Sequence, residues 1–475
     1  MKDNKIVQGI LEKFLFIGFT VQAGFGIAWI VKNIGYVQLF GESAENVAVS
    51  GTFVCSIYTG VLYPAFLLLV RAAGMAMGFP WYSFIYIIQL SLAYVSVWVF
   101  LKSFGGKGYG RFFYAWASLV ITTFPLVLQN HLAILGGSFT MSFVLMELAF
   151  VKRSWDAESL KGEGAGGRSF SFDMGRVCLF WLLAALMEWD YLFIGAIPVI
   201  VLLVRAVIIL VKRNRESESK RHPLNAFFPV LICVLFAVLI VGMYRLTESR
   251  QEKALPSKSM ETSLFDRTAW TAYISKRWNW RDDMKDLVGE EMLESARLHR
   301  ENVKLEIEPE IEKKLGKNGA RAFYRQIALD AMKTNGAEII HNSAVDLAGY
   351  VIPPVITGML YNKESFISFN SRNYDIMKRN APVLTKWFVD YSILWFGISL
   401  MEGLILWLLR FFEAMRDKKK IKFGVILVIT GMCAVLAVRN TFLGCAMYDY
   451  KCSVTVTALW MALTILSVSK KRENQ

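Results

Sequence analysis

The 475-residue chain is 55% hydrophobic, 14% aromatic and only 19% charged, with a mean hydropathy of +0.40. A soluble chain carries about a quarter charged residues, so the composition excludes an ordinary soluble enzyme, a disordered protein and a secreted disulfide scaffold. The formal net charge of +14 does not indicate nucleic acid, because the cations fill short gaps between apolar runs, where the positive-inside rule puts them.

The apolar runs are continuous rather than alternating, which excludes a membrane β-barrel. As helices of about 20 residues they suffice to cross a hydrocarbon core of about 30 Å. The expected fold class is therefore an all-α polytopic membrane protein of about ten transmembrane helices, with one extra interfacial or re-entrant helix. Lys2, Lys5 and Lys13 place the amino terminus inside, and span one runs over 14–31 as an uncleaved signal anchor. A first outer loop follows at 32–52, with Glu42 and Glu45 in Gly41-Glu42-Ser43-Ala44-Glu45-Asn46. The stretch 53–77 is apolar but contains Tyr63-Pro64 and Arg71. Counting it as a crossing would invert every later loop, so it is expected to lie in the outer interface or re-enter.

Later spans are expected at 80–101, 112–129, 133–151, 177–189, 192–211, 224–243, 388–409, 423–438 and 453–469. Basic gaps alternate with them, including Lys102–Arg111, Lys152-Arg153, Lys212–Arg221, Arg416–Lys422 and Lys470–Arg472, whereas the short opposite loops hold Lys32, Arg439 and Lys451. This path returns both termini to the cytoplasm and makes the chain a multi-pass protein of the cell membrane. Three parts result: an N-terminal membrane module at 1–244 with about seven spans, a mainly α extracytoplasmic domain at 245–387 between spans seven and eight, and a C-terminal membrane module at 388–475 with about three. Within the domain, helical periodicity predicts a face built on Ala322, Ile327 and Ala331.

No GxxxxGK[ST], HExxH, GxSxG or strand-linked GxGxxG occurs. Gly162–Gly167 lies in a basic gap without a preceding strand and reads as a linker. Six cysteines are dispersed without a metal spacing; Cys445 and Cys452 flank a short loop. Charges at or near membrane depth are Glu188 and Asp190, read as an outer turn, Glu402 in span eight, and Arg205 near an inner end. A carboxylate in the first outer loop, Glu42 or Glu45, can accept a proton from an acceptor hydroxyl, with a solvated loop as the plain alternative.

Taken in order, these features resemble the GT-C superfamily of membrane glycosyltransferases, which includes dolichyl-phosphate-mannose protein mannosyltransferases and bacterial family 39 relatives. The likeness rests on the acid-bearing first loop, on Leu62-Tyr63-Pro64 before an interfacial helix, and on Phe84–Leu90 in the next span. It continues through Pro125, the paired central spans at Trp181–Pro198, and Phe323-Tyr324-Arg325-Gln326 ahead of Tyr350 and Pro353-Pro354. The resemblance implies transfer of a sugar from a polyprenyl-phosphate donor to an envelope acceptor, whether glycan, lipid or protein, at the outer face, with membrane lipids as surroundings and no nucleic acid. Glu45 or Glu42 stands where the family usually has a catalytic aspartate. The second outer loop, Gln129-Asn130-His131 and Gly136-Gly137-Ser138, carries no second acid. A lipid phosphate needs cationic or hydrogen-bonding partners; Arg439, Arg245, Arg71 and His131 are the candidates, with snorkelling anchors and a polar loop residue as the plain readings. Trp270, Trp278 and Trp280 can contact the sugar or acceptor, or form the core of the domain. No cofactor is expected, and the outer loops lack a DxD for an obligatory divalent metal, which stays an open option. The alternative function is a non-catalytic membrane transporter or envelope-assembly scaffold.

Overall fold

The structure, a computed structural model, describes residues 2–36, 61–105, 109–159, 166–187, 195–204, 260–299 and 302–351, together with Tyr191 and parts of 231–242, 383–398 and 458–466. Among the described residues every regular element is helical and no strand occurs. The chain divides into two compact units, one of Met1–Arg245, Pro353–Cys433 and Ser453–Gln475, the other of Leu246–Ile352 and Ala434–Cys452.

The first unit contains α1 (Lys2–Asn33), α2 (Leu62–Met77), α3 (Trp81–Gly105), α4 (Arg111–Thr122), α5 (Pro125–His131), α6 (Gly137–Ser159), α7 (Gly166–Met187) and α8 (Gly195–Val204). Two segments, Lys13–Asn33 and Trp81–Gly105, are long and apolar enough to cross a membrane, and α2 and α8 are shorter apolar helices. In α1, Leu15, Phe19, Gln22, Ala23 and Trp29 recur on one buried face, while Phe14, Ile17, Val21, Ile27 and Val31 are exposed on the other. The inner face packs on α4 and on the 383–398 segment, where Trp29 meets Phe388 and Gly18 lies against the Trp395 ring. The end of α1 is tied to the start of α3, whose Ser83 hydroxyl donates to the Ile34 carbonyl at 2.7 Å and Tyr82 hydroxyl to that of Gly35 at 3.1 Å.

The centre of the unit is α6, buried on every side from Gly137 to Val151 and packed between α3 and α7. A helix apolar all round has to be an interior helix. Where one span was expected over 112–129 there are two helices, because the chain leaves the helical path at Thr123 and Phe124. Pro125 is the cause: it lacks an N–H to continue α4, its ring pushes Phe124 into extended backbone, and its fixed φ suits the first position of α5. The helix expected from 177 already begins at Gly166.

In the second unit, α9 (Met260–Ala269) runs into a π-helical turn at Trp270–Ile274 and a 3-10 turn at Arg277–Asn279. Then come α10 (Asp282–Val288), α11 (Glu290–Leu298), a second π-helical turn at Val303–Ile307, and the 44-residue α12 (Glu308–Val351), which is kinked at Gly316 and Asn335. The core gathers Phe265, Tyr273, Trp280, Met284, Leu293, Ile307, Ile311, Tyr324, Ile327 and Ala331, with Ala320 continuing the α12 face. Ala322 is exposed; the buried positions 320, 324, 327 and 331 follow the helical repeat and leave it on the opposite side. The Arg281 guanidinium joins the elements by pairing with Asp283 at 2.7 Å and Asp330 at 2.6 Å, and Lys276 pairs with Glu338.

Two linkages in this unit need glycine. Gly289 (φ 84°, ψ 157°) joins α10 to α11, and Gly316 (φ 68°, ψ 164°) makes the first kink of α12. That region of backbone space is essentially closed to other residues and costs about 1–3 kcal/mol when they are forced into it. Gly289→Ala should therefore lower the resistance of the second unit to tryptic cleavage in the full chain by about that amount, although no Cβ clash awaits it.

A pH dependence also follows. Tyr324, whose hydroxyl donates to the Glu308 carbonyl at 3.1 Å, and Tyr273, whose hydroxyl donates to Asp330 at 2.5 Å, are both held above the ordinary value of 10.0, chiefly by burial. The folded unit keeps these protons when the unfolded chain has lost them. Their effect is absent below about pH 10 and erodes stability as the pH rises further, by about 1.4 kcal/mol per pH unit for each tyrosine. Tyr324→Phe should be less stable at neutral pH by about 1 kcal/mol yet show a shallower alkaline loss in tryptophan fluorescence; an unchanged slope would acquit Tyr324.

Candidate functional site

The break ahead of Pro125 leaves carbonyls without helical partners inside the first unit, and side chains from neighbouring helices take them up. Gln22 of α1 donates its amide to the Thr123 carbonyl at 3.0 Å. The approach needs Gly26, since a Cβ there would lie 2.8 Å from that same carbonyl oxygen. From α3, the Gln89 amide donates to the Ala133 carbonyl at 3.0 Å and, more weakly, to that of Asn130 at 3.5 Å. These bonds fix the end of α5 and the turn at 132–136 that leads into α6.

Around that turn sits a group of uncharged polar side chains, all fully or almost fully buried: Tyr63, Tyr86, Gln89, Asn130, His131 and Ser138. His131 Nδ1 and Ser138 Oγ share a hydrogen bond of 2.6 Å. Tyr63 is brought in by α2, and its ring packs beside Phe66 and Phe139. Gly136 passes close to it, a Cβ there being 3.6 Å from the ring. Among the described residues, five atoms of this group have no partner: the Tyr63 hydroxyl, Gln89 Oε1, both side-chain heteroatoms of Asn130, and His131 Nε2. Buried polar atoms are nearly always satisfied, by protein or by something bound. The array offers amide, imidazole and phenol groups and no formal charge opposite them, a set suited to hydroxyl groups or to the oxygens of a neutralised phosphate.

The residues singled out from the sequence fall in three places. His131 lies in this buried group rather than on an open loop. Arg71 is half-buried on α2, its guanidinium 5.8 Å from the Trp81 ring centroid across the turn at Gly78. The three tryptophans separate within the second unit. Trp280 is in the core, with Nε1 donating to the Ile274 carbonyl at 3.4 Å, and Trp270 packs against that core. Trp278 is 82% exposed. Glu42, Glu45, Arg245 and Arg439 lie outside the described residues, as do Glu188, Asp190, Arg205, Glu402, Cys445 and Cys452. Among the described residues no cluster of three or more His, Cys, Asp or Glu could hold a metal ion.

Four members of the buried group, Tyr63, Tyr86, Gln89 and Asn130, lie in segments quoted for the resemblance but were given no role there, and Glu147 was not named at all. The last had a visible signal, as the only acid in 133–151. The polar residues around the turn had none, because a polar residue in an apolar run does not reveal which helix it faces.

No family model matches the chain, and neither does any curated protein or solved structure.

Buried polar side chains with a hydrogen-bond partner and those without one should respond differently to substitution. Gln89→Leu strands a buried carbonyl and should cost about 1–3 kcal/mol, lowering the thermal midpoint of the purified protein. Asn130→Leu removes an amide that makes no bond and should leave the midpoint unchanged or raise it. A large loss with Asn130→Leu would mean that its amide serves the fold.

Proposed function

We propose that the chain is an integral membrane glycosyltransferase of the GT-C type, which moves a sugar from a polyprenyl-phosphate donor to an envelope acceptor at the outer face. The observation that supports this most is the group of unpartnered, uncharged polar atoms of Tyr63, Asn130 and His131, buried where the first loop returns to the bundle through α2. A hydroxyl-rich sugar beside a lipid phosphate asks for such neutral donors and acceptors in apolar surroundings. The outward apolar face of α1 and the exposed row Leu231, Val234, Leu235, Val238 and Leu239 fit a lipid environment. In this reading the chain crosses the membrane about ten times, with both termini in the cytoplasm.

Glu45, or Glu42, takes the proton of the acceptor hydroxyl. The hydroxyl oxygen then attacks the anomeric carbon from the face opposite the phosphate, the bond from that carbon to the phosphate oxygen breaks, and polyprenyl phosphate leaves with the bonding electron pair. Arg439 and Arg245 balance the charge that develops on it, with Arg71 and His131 as further partners. Of the three tryptophans, Trp278 carries the role of stacking on a sugar face, because its ring is exposed. No metal is required for these steps.

The test is donor turnover by the purified chain in lipid vesicles, with a panel of labelled polyprenyl-phosphate sugars and a Glu42→Gln/Glu45→Gln double variant alongside. Release of free polyprenyl phosphate that vanishes in the double variant is the expected result. Turnover that survives it keeps the enzyme and removes these two acids as the base. Saturable binding without turnover would make the chain a lipid-sugar-binding protein, and neither binding nor turnover would favour the transporter or scaffold.

A further inference from the structure

Glu147 lies in the middle of the central helix α6, is fully buried, and neither of its carboxyl oxygens has a partner among the described residues. It faces the packing of α7 and α8. At Gly195, the first residue of α8, a Cβ would lie 2.4 Å from Trp181 Cδ1 and 3.3 Å from Glu147 Oε2. Only a residue without a side chain lets α8 close over the indole and the carboxyl together. The surrounding cluster is apolar, with Phe150, Val151, Val177, Cys178, Trp181, Ala185, Val199 and Leu202.

Among the described side chains, none makes a hydrogen bond or ion pair with this carboxyl. On α6 itself, Arg153 donates to Ser103 at 3.2 Å and lies over the Phe150 ring, and Lys152 makes its own contacts. On α7, Arg176 pairs with Asp173 at 3.1 Å, and Cys178 is a buried thiol in no disulfide. On α3 the groups are Tyr82, which donates to the Gly35 carbonyl, Tyr86, Tyr94 and Lys102, the last stacked on Trp98. The sequence of α8 contains none. A bare carboxylate in such a place would lose its hydration with nothing in return, at a cost of at least several kcal/mol. A metal ion would need further oxygen ligands that these side chains do not supply. The species that fits is the neutral acid.

We propose that Glu147 is a proton-binding site inside the first unit: the carboxyl holds a proton as its ligand, and Gly195 of α8 closes the site against water. Intramembrane acids of this kind are expensive to keep and mark proton-handling positions by default. The site is independent of the glycosyltransferase reading, and donor turnover can fail without touching it.

A buried neutral acid reacts with a hydrophobic carbodiimide. The acid proton passes to one nitrogen of the reagent and the carboxyl oxygen adds to its central carbon. The acyl group then shifts to the other nitrogen as a stable N-acylurea, and nothing is expelled. The experiment treats the purified full chain with dicyclohexylcarbodiimide at about pH 8, where an ordinary glutamate near 4.3 is ionised and inert, and locates the adduct by peptide mass spectrometry. The expected result is an adduct at Glu147, absent from Glu147→Gln, with no labelling of Glu147 by a water-soluble carbodiimide and an amine. Gly195→Leu, which props α8 away, should open Glu147 to the water-soluble reagent. No adduct at Glu147 in the unaltered chain, or equal labelling by the two reagents, would overturn the proposal. The unaltered chain decides this by itself, whether or not the variants fold.

Discussion

A backbone buried among apolar side chains must find a partner for every N–H and C=O, and the break before Pro125 makes that constraint acute. Proline ends α4 in the middle of an apolar run and leaves carbonyls around Thr123 and the end of α5 to be satisfied from elsewhere. Gln22 from α1 and Gln89 from α3 do so, and their reach sets how those helices approach the α5–α6 turn. Gly26 follows from the same need, because a side chain there would collide with the carbonyl that Gln22 serves. The break at Pro125 thus accounts for Gln22 and Gly26, and the end of α5 for Gln89.

That economy makes the leftovers informative. Gln22 and Gln89 each donate to a carbonyl that would otherwise be stranded, whereas the Asn130 amide, His131 Nε2 and the Tyr63 hydroxyl serve nothing in the protein. Neutral groups of this kind suit a neutral, hydroxylated ligand. Glu147 is a different case in the same unit. Its neighbours are apolar, it sits deeper along α6, and its chemistry is that of a single proton. A sugar site and a proton site would therefore make distinct demands on α6, one at its first turn and the other at its middle.

The second unit is built on other terms. Some of its charged residues pair across elements, as Arg281 does with Asp283 and Asp330, while Asp266, Arg267 and Glu308 are buried, and its apolar positions follow the helical repeat along α12. Here the chain turns by glycine rather than proline. Gly289 and Gly316 occupy backbone that other residues avoid, so short helices can fold back on one core. Trp280 is drawn into that core while Trp278, two residues away, is left in the open. Trp278 lies within the 3-10 turn Arg277–Asn279, and Trp280 follows it in extended backbone.

The sequence by itself determined the all-α class, the apolar character of α1 and α3, the helix at the start of the first-loop return, and the helical repeat of α12. Each is a local property: the length of an apolar run, a period, the position of a proline. It also marked His131 and Arg71 as polar groups worth locating, and Glu147 stood visible as a lone acid. Only the tertiary structure decided that 112–129 is two helices, that the buried face of α12 uses Ala320 and Tyr324 in place of Ala322, and that Gln89 meets Ala133. The physical reason is that satisfaction of a buried polar group depends on which helix lies opposite, through contacts tens of residues apart. A one-dimensional pattern can show that a glutamine, an asparagine and a glutamate are all embedded in apolar sequence. It takes the packed bundle to show that the glutamine has a partner and the other two do not.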